Sequence, residues 1–202
     1  MRIGLVTFCV LLVAGSAAAA PITIVSTTAD VSTTGGGGGG LVESWTQTGT
    51  YSGVTITAAL TNIQANTTAY LMNQIGPGTN VANQLFANSV TGTTLFTGLT
   101  LGPGTYFLVV ASPNNVSATF GTPPLVTTDA GVTLNAPAAS PLNSLALYAP
   151  ATNFTTFTTT GNHMLFSVVG NAGSSSVPEP STFGILGAGL SGLLFAARRR
   201  KA

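Results

Sequence analysis

The sequence predicts an all-β body, a jelly-roll-like β-sandwich, set between two targeting segments. Three observations carry this expectation. From Leu41 onward apolar and hydroxyl-bearing residues alternate, as in Val54-Thr55-Ile56-Thr57, and a period of two puts the apolar side chains on one face of a strand. Clusters such as Gly76-Pro77-Gly78 and Gly102-Pro103-Gly104 interrupt these runs, at about the spacing of turns in a sandwich or barrel. All 5 lysines and arginines lie at the two ends, as Arg2, Arg198, Arg199, Arg200 and Lys201.

Residues 1–19 read as a secretory signal peptide. Met1-Arg2 is a minimal positive start, residues 3–13 are apolar, and residues 14–20 are small. Cleavage after Ala19, with Ala17 at the third position before the cut, or after Ala18, avoids placing Pro21 directly behind the scissile bond. Cys9 lies inside the apolar run, and Val6-Thr7-Phe8 is no lipobox. The only thiol therefore leaves with the signal, which excludes disulfides and thiolate chemistry from the mature chain.

The body, residues 20–176, carries Asp30, Glu43 and Asp129 and no lysine or arginine. The formal net charge of +1 thus belongs to the ends. Nucleic acid binding requires a basic footprint, and this body has none. Its Val, Leu, Ile and Phe content argues equally against disorder. Residues 21–34, Ile-Thr-Ile-Val followed by Ser and Thr, suit a first strand. The glycine run 35–40 offers no side chain and great backbone freedom, so it reads as a flexible loop. No lysine follows it, which tells against a phosphate loop.

Further strands are expected at residues 54–57, 69–72, 94–97, 105–111, 116–120, 132–134, 145–148, 153–160 and 164–169. Residues 105–111, Thr-Tyr-Phe-Leu-Val-Val-Ala, combine bulk, β-branching and a proline-free interior, so they belong at the centre of the core. Residues 81–88 could form a turn or two of helix.

Catalytic constellations are scarce. His163 is the only histidine, and a triad would need it beside Asp30 or Asp129 and a serine. No nucleophile elbow is present, and Gly161-Asn162-His163 reads as a turn before a strand. Asp30, Glu43 and Asp129 sit in no acid-pair or calcium-loop context. No catalytic residue, cofactor site or metal site is assigned. Trp45, Tyr51, Tyr70, Tyr106 and Tyr148 could form a sugar-stacking platform, but aromatics of a sandwich more often fill its core. The triplets at Asn66, Asn115 and Asn153 match the N-glycosylation pattern and reflect an Asn/Thr-rich chain.

The last stretch has three parts in order: Val177-Pro178-Glu179-Pro180, an apolar helix over 182–197, and a basic tail 198–201. Pro178 and Pro180 fix two φ angles and lack amide donors, so the chain around Glu179 is extended. Residues 183–197 hold no charge, yet a helix of that length reaches about 22 Å against a bilayer core of about 30 Å. Such a marginal span suits a transient anchor. Gly184, Ala188 and Gly192 line one helix face and would let a partner helix approach closely. Arg198, Arg199, Arg200 and Lys201 would hold the C-terminus in the cytoplasm.

This tail, residues 177–202, resembles the PEP-CTERM protein-sorting signal of Gram-negative bacteria, the substrate class of membrane proteases called exosortases. Residues 69–78 and 96–108 look like the β-rich bodies that often precede that signal. The resemblance implies an exosortase-type protease as partner, a transient stay in the inner membrane, and delivery to the cell surface or the extracellular matrix. A structural, exopolysaccharide-associated protein without catalysis is the expectation, with self-association between its copies. A carbohydrate-binding or adhesive module on the same route is the alternative, and a secreted hydrolase ranks last.

Overall fold

The alternation seen in the sequence becomes strand after strand. The computed structural model describes residues 20–36, 40–76, 78–113, 116–121, 124–136, 138–140, 158–159 and 162–173. In chain order the strands are β1 (Ile22–Thr28), β2 (Ser32–Gly36), β3 (Gly40–Gln47), β4 (Tyr51–Ala58), β5 (Leu60–Asn62) and β6 (Thr68–Met72). β7 (Gln84–Ser89), β8 (Thr94–Leu101), β9 (Gly104–Ala111), β10 (Ser117–Gly121) and β11 (Leu125–Thr128) follow. The remainder are β12 (Val132–Leu134), β13 (Ala138–Ser140), β14 (Thr158–Thr159), β15 (His163–Met164) and β16 (Phe166–Ala172). A single 3-10 turn, Val81–Asn83, is the only helical element among the described residues.

Among the described residues every strand pairing is antiparallel, and the strands form three sheets. One runs β11-β1-β16-β4-β8. The largest runs β14-β13-β3-β9-β6-β7, with β12 also paired to β3. The smallest runs β15-β10-β2, with β5 also on β10. Ile24, Ile56, Leu95 and Val168 of the first sheet pack in one core with Leu41, Trp45, Leu71 and Leu108 of the largest. The Trp45 and Phe166 rings, one from each sheet, lie 6.2 Å apart. Full burial of each such side chain contributes about 1.5–3 kcal/mol, so this shared interior is what holds the two sheets together. Val42, Tyr70, Met72, Val109 and Ala111 form a second cluster, on alternate positions of β3, β6 and β9 and therefore on the opposite face.

The expected central strand is central. β9 pairs along its whole length with β3 and over five positions with β6. Elsewhere the structure departs from the expectation. Gly35 and Gly36 close β2, and Gly40 opens β3 opposite Ala111. The glycine run is thus strand at both ends, and residues 37–39 lie outside the described residues. Only residues 81–83 of the expected helical stretch are helical, because β7 begins at Gln84 and five of its residues pair with β6, Thr68 opposite Ser89. β8 does not stop at Thr97 but continues through Gly98, whose φ of 73° a Cβ would disfavour. The expected strand 145–148, the first part of 153–160, the signal segment 1–19 and the tail 177–202 lie outside the described residues. Among the described residues no helix is long and apolar enough to cross a membrane.

Candidate functional site

On β3 the inward positions are Leu41, Glu43, Trp45 and Gln47, so a carboxylate and an amide share a face with large apolar groups. Both are 1% exposed, and burying a polar group without a partner is costly. Gln47 solves this within its own neighbourhood. Its Oε1 accepts from Trp45 Nε1 at 2.9 Å, and its Nε2 donates to the carbonyls of Gly49, Leu101 and Gly102 at 3.2, 3.2 and 2.9 Å.

Glu43 reaches much further along the chain. Its Oε2 lies 2.7 Å from Nδ1 of His163, and its Oε1 accepts from the Met164 backbone N–H at 2.6 Å. Burial raises the Glu43 pKa above the ordinary 4.5; the His163 ring and the Met164 amide oppose that rise. The same short strand is held from its other side. Thr27 Oγ1 donates to the Met164 carbonyl at 2.7 Å and accepts from Phe166 N–H at 3.0 Å. β15 is therefore pinned between β3 and β1, with Glu43 and Thr27 as the two fasteners.

The acid beside His163 is thus Glu43, not the Asp30 or Asp129 that a triad would have used. Asp129 accepts instead from the Tyr51 hydroxyl at 2.9 Å. Tyr51 is pushed up to about 12, first by burial and then by the Asp129 carboxylate. No hydroxyl is bonded to His163 among the described residues, and Thr27 is engaged with backbone. Among the described residues no three metal-ligating side chains come together. The arrangement fastens β15 to β3 through side-chain hydrogen bonds.

Among the described residues the aromatic platform is not present. Trp45 is fully buried and stacks on Tyr106 at 5.6 Å between ring centroids, while Tyr51 and Tyr70 are buried as well. Strand alternation turns Trp45, Tyr51 and Tyr106 into the shared core, as the core reading expected, while Tyr70 is buried in the second cluster on the opposite face; Tyr148 lies outside the described residues. The sorting residues Val177, Pro178, Glu179 and Pro180, the helix-packing residues Gly184, Ala188 and Gly192, and the basic residues Arg198, Arg199, Arg200 and Lys201 lie outside them too.

Sequence reasoning missed the Glu43–His163 pair, although one signal for it was present. In Leu41-x-Glu43-x-Trp45 the carboxylate falls on the apolar period, so it needed a partner, and His163 is the body's only basic side chain. No curated protein and no solved structure matches the chain. The family model of the PEP-CTERM protein-sorting motif does match, over residues 176–201, a span that takes in Val177–Pro180 and Arg198–Lys201. The chain carries that sorting motif.

Proposed function

We propose that this is an exported protein, sorted through an exosortase-type membrane protease, whose body is a structural component of the cell surface or extracellular matrix and not an enzyme. The sorting motif at residues 176–201 is the observation that carries this reading. In it, residues 1–19 direct export and residues 182–197 hold the precursor briefly in the inner membrane. Arg198 to Lys201 keep its end cytoplasmic, and the protease cuts near Val177 to Ser181. The strand orders β1-β16-β4-β8 and β3-β9-β6-β7 support a jelly-roll-like sandwich as the delivered body. The absence of lysine and arginine from residues 20–176 supports self-association, because copies repel one another weakly. A structural role also accounts for Glu43 and His163, whose hydrogen bonds fasten β15.

The test is mass spectrometry of the mature C-terminus in an exosortase-competent host. Wild type should end near residues 177–181, and the double variant Glu179→Ala/Pro180→Ala should persist as a membrane-bound precursor. If both remain full length, the segment is a permanent anchor and the sorting reading fails. A second reading, a carbohydrate-binding module on the same route, is favoured by one observation. A groove between the β6–β7 loop and the β8–β9 turn is lined by amide and apolar side chains without a charge.

A further inference from the structure

We propose that this groove binds a chain of neutral polysaccharide, an inference that rests on the carbohydrate-binding reading and gives it a site. The groove holds about 450 Å³, the size of ordinary ligand clefts. The groove is lined by Asn73, Gln74 and Asn83 and, beside them, by Leu85, Pro103 and Tyr106.

The amide wall is organised before any ligand arrives. Asn83 Nδ2 donates to Asn73 Oδ1 at 3.0 Å and to Gln74 Oε1 at 3.3 Å. Asn83 is itself fixed, because its Oδ1 accepts from Asn80 N–H at 2.9 Å, while Asn80 Oδ1 accepts from Ala82 N–H at 2.9 Å. The Asn73 N–H donates to the Asn83 carbonyl at 3.0 Å, closing the loop on itself. Tyr106, also in the lining, is held by its hydroxyl, which donates to the Gly102 carbonyl at 2.9 Å. A site whose side chains are already ordered loses less entropy on binding.

The chemistry selects the ligand class. Asn73 uses its oxygen within the wall, and its NH₂ group has no partner among the described residues. An amide offers donors and acceptors without charge, which suits hydroxyl groups better than phosphates or carboxylates. Leu85 and Pro103 supply apolar surface for the C–H faces of a sugar. The groove has no cation, so an acidic polymer would gain no ion pair there.

The test is retention of the exported chain, recovered from its host, on beads carrying dextran, pullulan, a soluble β-glucan or alginate. Binding to at least one neutral polymer should weaken by about tenfold or more in Asn73→Ala, which removes a bonded amide. Leu85→Glu, at an exposed position, should weaken it similarly, while Ser52→Ala, at an exposed position of β4, should leave it unchanged. Thermal midpoints of the variants confirm that they fold. Retention of wild type that neither Asn73→Ala nor Leu85→Glu diminishes would overturn the site and leave the carbohydrate-binding reading standing. Retention of nothing, or of alginate alone, would overturn both and leave the sorting reading untouched.

Discussion

Glu43 Oε2 and His163 Nδ1 meet at 2.7 Å across 120 positions of the chain. Glu43, buried on the inward face of β3, needs a partner there. Glu43 is almost wholly buried and His163 is 14% exposed, so the pair is far less solvated than a surface ion pair. With the Met164 amide as third member, it ties the last strands of the body to β3.

Removing one partner should therefore cost more than conserving the hydrogen-bond pattern. Glu43→Leu leaves the Met164 N–H and the His163 ring unpartnered and should lose about 2–4 kcal/mol of stability. Glu43→Gln keeps an acceptor for Met164 and a donor for His163, so about 1 kcal/mol is expected. Urea denaturation of the three proteins measures both. Equal stability of all three would mean that β15 is held without the carboxylate.

The raised Glu43 pKa gives a sign to the pH dependence. The folded state binds this proton more tightly than the unfolded chain, so the residue's contribution is greatest below the ordinary value of 4.5. It falls as pH rises from there through the folded-state value, then levels off. Wild type should lose stability relative to Glu43→Gln over that window in urea midpoints taken across pH. A difference independent of pH would contradict the burial assigned to this group.

Tyr51 should ionise late. Its phenol, pushed up to about 12, contributes stability that is complete below the ordinary value of 10.0 and is lost between the two. Ultraviolet titration should show the late phenol in wild type and not in Tyr51→Phe. The variant should also lose about 1 kcal/mol at neutral pH through the missing bond to Asp129.

Two glycines with similar backbone angles should differ in tolerance. Gly131 has φ +74°, and a Cβ there would run into Thr48 Oγ1; Gly98 has φ +73° with nothing near. Gly98→Ala should lose about 1 kcal/mol from backbone strain alone, and Gly131→Ala clearly more. Comparable thermal midpoints for the two would show that Thr48 yields without penalty.

Self-association should run through an unguarded strand. β7 stands at the end of the largest sheet, five of its six residues are exposed, and Leu85 and Phe86 are among them. Natural edges are usually blunted by lysine, and Gln84–Ser89 has none. Sedimentation of the chain should show concentration-dependent association that Phe86→Lys suppresses. A strictly monomeric wild type would remove the self-association reading.

Much of this protein was legible before any coordinates. The period of two announced the strand at 54–57, because a pleated backbone sends alternate side chains to opposite faces, and bulk with β-branching announced the one at 105–111. The missing lysines and arginines of the body, and the order of Val177–Pro180, apolar segment and Arg198–Lys201, are properties of composition and order alone. The alternation states which face a residue occupies and never which strand lies opposite. Hence the placing of β9 between β3 and β6, the continuation of β8 through Gly98 and the sealing of Trp45 against Tyr106 and Phe166 were decided only when sheets paired and stacked. Glu43 and His163 show the same division. The sequence determined that a carboxylate sits on an apolar face and that one histidine exists to answer it; only the packing of β15 against β3, a contact between distant parts of the chain, brought the two together.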